Sequence, residues 1–480
     1  MRRNQLVLWI YLLSAGWLFS QNIDSLQIRK IYSEALSSQI AYQNLKRLCK
    51  ETPGRYTGSP QAAKAVELCR QILQDIDLDS VSLQSVEVPR WIPGTSTEVR
   101  ISSPDIGTET LTSCALVKSP GTKGTIHTRV IEVKSLEEVA KLGRKKIQGN
   151  IVFYNRPVNP AEIDPMNGYR TTVDQRFYGS AAAYACGASG VLVRSITPFI
   201  HDFSHTGTML GEDQIETRKD QLKQAVGESI YNAIMRNPGV CPAVAISTID
   251  AERLSQYLKK DSEIKVSMTL NCETLPPVQS CNVIAEIQGQ QYPEKVILVS
   301  GHLDSHFNTE GAHDDGAGCI HAMEVLRLFR VLNIQPVYTI RAVLFMDEEA
   351  WQSGRAAYRD NVKKSGEIHL FTFESDRGAF APTGFQFDMK EDLFQKLMEF
   401  ESLFKLYGNY EWLTGFSGVD IAPLKAFGTA LGSLNTNTQG YFRLHHASND
   451  TFDKINQREL QLGSAAIASL IYLIDRHGLE

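Results

Sequence analysis

Apolar positions recur at helical spacing from Asp24 to about Asp77, as in "LQIRKIYSEALSSQIAYQNLKRL" and "AAKAVELCRQIL". This pattern predicts two helices, with the Gly- and Pro-containing turn "TPGRYTGSP" between them. From about Trp91 to Leu270 the texture changes to short β-rich runs such as "GNIVFYN", "SGVLVRS" and "CPAVAIS". A Gly/Ala-rich helix, "YGSAAAYACGA", and a polar helical stretch from Asp213 to Arg236 interrupt them, and the whole reads as a separate domain. After Pro276-Pro277, taken as a linker, strand and helix alternate. "KVILVS" precedes a helix from about Gly316 to Leu332, "YTIRAVLFM" precedes one around Gly354 to Lys364, and "IHLFTFES" follows. Continuously apolar strands of this kind belong to an α/β sheet covered on both faces, whose ligands bind beyond the carboxyl ends of the strands.

That rule gives meaning to "VSGHLDSHFNTEGAHDDGAG", which begins where one buried strand ends and carries three histidines, three aspartates and a glutamate. The other strand ends bring matching groups: Glu348 and Glu349 in "DEE", Asp376 after "FTFES", and His445, His446 and Asp450 in "LHHASND". Singly, each has an ordinary structural explanation, such as a helix cap or a hydrogen-bonded core histidine. Together, two histidines and several carboxylates without a sulfur ligand suit zinc in a co-catalytic pair, one carboxylate bridging two ions. Asp304, two residues past His302, is placed to hold the imidazole from behind.

Composition narrows the partners. The 480 residues are 42% apolar and 21% charged, as in ordinary folded proteins. With 49 Lys plus Arg against 54 Asp plus Glu, the net charge of -5 gives no reason to expect nucleic acid or an anionic membrane surface. "MRRNQ" followed by the uncharged stretch Leu6 to Phe19 reads as a secretory signal over residues 1–20, too short for a membrane anchor, and predicts a secreted or periplasmic protein. Eight cysteines form no zinc-knuckle spacing; Cys272 and Cys281 either close a short disulfide loop or are simply small buried residues.

"GHLDS", "GAHDDGAG", "DEEAWQSG", "FESDRGAFAPTG" and "HHASNDT" resemble the successive signatures of the zinc exopeptidases that include aminopeptidase Y and glutamate carboxypeptidase, most closely the carboxypeptidase Q branch. The resemblance implies an α/β/α sandwich with a mixed sheet and an inserted β-rich protease-associated domain. The N-terminal helical part of the peptidase domain would occupy residues 21–95, the inserted domain 96–270 and the catalytic domain 271–480. It implies two Zn2+ per chain: His302 and Asp376 on one ion, Glu349 and His446 on the other, and Asp314 bridging. It also implies Glu348 as general base, a cis peptide bond between Asp314 and Asp315, and short peptides as substrate. His445 would stabilise the oxyanion or serve as a structural hydrogen-bond partner. The inserted domain could admit substrate, cover the cleft or support a homodimer. One departure from the branch stands out: His306-Phe307 replaces the usual Trp-Asp after "HLDS". Aminopeptidase activity on the same ligand set, glutaminyl cyclisation with one zinc, and binding without catalysis stay open as alternatives, separable by substrate and by metal content.

Overall fold

The computed structural model describes residues 23–104 and 107–479, so the expected signal segment lies outside them. Two eight-stranded mixed sheets organise the chain. In the first, Tyr338–Phe345, Tyr292–His302, Ile368–Glu374 and Ala430–Thr436 run parallel at the centre. Antiparallel strands complete it on both sides, Glu273–Ile287 and Ser80–Ile92 on one flank and Pro382–Asp388 on the other, where the short Glu411–Thr414 pairs parallel to it.

The apolar runs are continuous because alternate residues serve opposite faces. Ile297 and Val299 pack with the helices Ile40–Glu51, Pro60–Gln74, Ala317–Val331 and Gln457–His477, while Val296 and Leu298 pack with Tyr358 and Val362 of Ser353–Ser365 and with Ile421 and Leu424. The sheet is therefore buried on both sides, and its loops at the carboxyl ends are its main route to function. The second sheet gathers strands between Thr97 and Leu270 and also carries helices on both faces, including Leu136–Ile147 and Lys219–Arg236 on one and Thr248–Lys260 on the other.

Two expectations need correction, and one open alternative is decided. The N-terminal segment makes three helices, not two. The first, residues 23–37, stops at Ser38, whose hydroxyl accepts from Ile40 N (3.2 Å) while Ser37 Oγ donates to Glu34 O (3.2 Å). Serine side chains here compete with the helical ladder. Pro276-Pro277 is no linker but part of the long strand Glu273–Ile287. The pairing with Ser80–Ile92 skips between Val88 and Arg90, so the exposed prolines sit at a bulge opposite Pro89, where no ladder N–H is needed. Finally, Cys272 and Cys281 are free thiols. Nine residues of nearly extended chain hold them roughly 30 Å apart, far beyond disulfide reach.

Candidate metal centre

The acidic side chains at the strand ends outnumber any plausible ligand set, and the structure separates two jobs among them. One group ties loops together by accepting backbone N–H groups. Asp304 accepts from Asp347, Glu348 and Glu349 (2.8, 3.1 and 3.3 Å), fixing the "DEE" turn in which Asp347 has φ 73°. Asp315 accepts from His302 and Gly318 (both 3.0 Å), Asp450 from His313 and Asp314 (2.9 and 3.1 Å), and Glu374 from Val419, Asp420 and Ile421 (2.8, 2.8 and 3.0 Å). Asp304 does stand behind His302, but through its backbone. It is the Asp304 carbonyl that accepts from His302 Nδ1 (3.0 Å), because the carboxylate is committed to the neighbouring turn.

The other group keeps oxygen atoms buried without hydrogen-bond partners among the described residues: Asp314 Oδ2, Glu349 Oε1 and Asp376 Oδ1. Such atoms are costly unless a cation takes them up. His302 Nε2 lies 3.2 Å from Asp314 Oδ1 and 3.6 Å from Asp376 Oδ1. His446 Nε2 lies 3.4 Å from Asp314 Oδ2 and 3.3 Å from Glu349 Oε2. Donors on a tetrahedral zinc, with bonds of about 2.0–2.2 Å, stand about 3.3–3.6 Å apart, so the spacing fits. The two oxygens of Asp314 face different histidines, and the Asp314–Asp315 peptide bond is cis.

The two histidines are shifted in opposite directions. Burial, reinforced by Glu349, raises Asp314 to about 6, and burial lowers His446 to about 3, leaving the neutral imidazole that a metal requires. Burial works against protonation of His302 as well, but Asp314 and Asp376 overcome it and raise the group. His446 sits at φ 63° with Nδ1 against Thr206 O (3.3 Å), which turns Nε2 toward the carboxylates. Glu348 lines the adjoining cavity and makes no such pairing. Burial raises it, as do Glu349, Asp420 and Asp376, against the pull of His302; cations beside it would act in the opposite sense. His445 stacks on His446 (3.6 Å between ring centres) and faces the same cavity, with Nε2 3.9 Å from Asp314 Oδ2.

Several contributors carry no sequence signal. Arg55, fully buried in "GRYTGSP", donates to the carbonyls of Leu303 (2.6 Å), Glu310 (2.5 Å) and Gly311 (2.9 Å) and so shapes the loop after His302. From the second sheet's side, Thr206 N donates to His446 O (3.0 Å), His205 Nδ1 pairs with His445 O (2.7 Å), and Thr208 Oγ1 donates to Glu349 O. Tyr169, Arg176 and Arg218 line the same cavity, which has a volume of about 270 Å³.

Close packing leaves the loops little tolerance. A Cβ on Gly318 would lie 1.8 Å from Ser375 O and 2.4 Å from Asp315 Oδ2. Gly318→Ala should therefore cost at least about 1–3 kcal/mol of stability and displace the loop carrying Asp376. Denaturant midpoint and zinc content, measured together, should both fall; an unchanged midpoint would contradict the packing argument.

Comparison with known proteins gives the site its context. Residues 282–471 match the model of peptidase family M28. Carboxypeptidase Q of Homo sapiens is 30% identical over 436 residues, 90% of this chain and 85% of that one, and the Mus musculus protein is 29% identical over 435 residues with the same coverage. A peptidase M28 precursor from Shewanella amazonensis SB2B shares the structure with a TM-score of 0.85 at 27% identity, covering 95% of this chain and 97% of the other. A zinc aminopeptidase from Bacillus subtilis shares the fold at 16% identity and a TM-score of 0.61, over 91% of this chain and 94% of its own. The likeness runs through both sheets as well as the strand-end loops: the chain belongs to peptidase family M28 and is a metallo-exopeptidase.

Proposed function

We propose that this protein is an exported two-zinc exopeptidase that hydrolyses dipeptides or very short peptides. The observation that carries the reading is Asp314, whose two oxygens address two separate donor sets, His302 with Asp376 and His446 with Glu349. Those residues would hold the ions, which when bound polarise the scissile carbonyl and acidify water. Glu348, at the cavity wall, takes the proton of the attacking water and returns it to the leaving amine. His445, neutral because burial lowers it, keeps one ring N–H to donate to the carbonyl oxygen as it gains charge. Asp304, Asp315 and Asp450 hold the loops through backbone amides and stay out of the chemistry. Residues 96–270 are read as the protease-associated domain. Export rests on the charged start and apolar stretch of residues 1–20; among the described residues no helix is long and apolar enough to cross a membrane.

Two features support short substrates. The cavity of about 270 Å³ is at the small end for ligand sites, and Arg176, 3.4 Å from His446 Nδ1, and Arg218 supply positive charge to its wall. A free substrate carboxylate reaching that wall gains a charge-assisted hydrogen bond worth about 1.5–3 kcal/mol. Free dipeptides should therefore exceed C-blocked dipeptides and amino-acid anilides by roughly ten- to a hundredfold in kcat/KM. Equal rates on a dipeptide and the matching anilide would favour an aminopeptidase instead.

A further inference from the structure

His306, the residue that departs from the family pattern, does not lie on the pocket rim. It is buried, 1% exposed, within the loop after His302. Its ring meets that of His446 edge to face at 4.1 Å between centres. Its Nε2 stands 3.0 Å from Glu349 Oε2, yet neither ring nitrogen is aligned with a hydrogen-bond partner among the described residues. An imidazole stripped of water and left without a partner is expensive. Here it is directed at the two side chains assigned to one ion, and His306, Glu349 and His446 bring donor atoms within 4.8 Å of one another.

We infer that His306 is an additional protein ligand of the ion held by Glu349 and His446. The inference rests on the two-zinc reading above. It gives that ion two nitrogen donors beside Glu349, and His446 Nε2 also meets Asp314 Oδ2 at 3.4 Å, so this side offers one protein donor more than the other. The His302 side has His302, Asp376 and Asp314, which leaves a position for water or substrate. The two sites are thus unequal: one ion is tightly retained, the other exchanges readily.

The difference is measurable without activity. Wild-type protein, His306→Ala and His306→Asn are loaded with zinc, dialysed against graded chelator and analysed for metal per chain, with melting of the metal-free forms as a control for folding. Wild type should lose one zinc early and the second only at much higher chelator. Both variants should lose the second zinc at least about 100-fold more easily, since even outer partners of zinc ligands contribute about 10–100-fold. With cobalt in place of zinc, the intense visible bands of a four-coordinate ion should weaken in both variants. The Asn variant covers the case in which Ala disturbs folding. If wild type binds two zincs and both variants match its chelator curve and cobalt spectrum, the inference is overturned alone. A wild type that binds no zinc would overturn the two-zinc reading and this inference with it.

Discussion

Glu348→Gln should keep two zinc ions per chain and lose turnover by at least ~10²- to 10⁴-fold, about 3 to 5 kcal/mol of barrier, mostly in kcat. The amide preserves the shape and the backbone hydrogen bond from residue 348 to Asp304, and only the proton-accepting oxygen disappears. Glu349→Gln, one residue on, should behave differently. It weakens a donor 3.3 Å from His446 Nε2, so zinc occupancy and activity should fall together. Metal analysis beside single-turnover kinetics separates the two. A Glu348→Gln enzyme with two zincs and near-normal turnover would remove Glu348 from the chemistry.

Arg55→Ala should be among the most damaging single changes in the molecule, although Arg55 touches no ligand side chain. Its guanidinium serves three carbonyls from Leu303 to Gly311, of which those of Leu303 and Gly311 are buried, and truncation leaves them without this donor. Each buried carbonyl left without a donor costs about 1–3 kcal/mol. Because these carbonyls belong to the loop between His302 and Asp314, the loss should appear as lower thermal stability and as zinc content below two per chain. Lysine cannot reproduce a three-way fork, so Arg55→Lys should recover only part of both. A stable Arg55→Ala protein with full zinc would show that the loop is held by other means.

The central sheet was legible because its strands are buried on both faces. Val296 to Val299 advertise themselves as an unbroken apolar run, and the residue types at the run's end follow from where such sheets bind ligands. The helix break at Ser38 and the bulge at Pro276-Pro277 were not legible, because both turn on local hydrogen bonding that an apolar pattern does not encode. In the site, residue types and strand ends gathered the acidic residues, set Asp304 apart as a support and, through the resemblance, named the ligands, but they did not show what holds the loops. Asp315 and Asp450 look like ligands by type and position, and only the backbone amides pointing at them reveal tethers. Arg55, Arg176 and Thr206 lie far from the ligands along the chain. A buried arginine is indistinguishable by pattern from a solvated one, so their roles required the fold.

The paired strands Ser80–Ile92 and Glu273–Ile287 end with Ile92 opposite Glu273. Everything from Pro93 to Cys272 therefore leaves and re-enters the first sheet at points about 5 Å apart. The segment thus sits at the tip of a hairpin that a tight turn would suffice to close. With Thr206 gripping the backbone of His446 and Thr208 that of Glu349, the loops of the first sheet take part of their shape from the segment they carry.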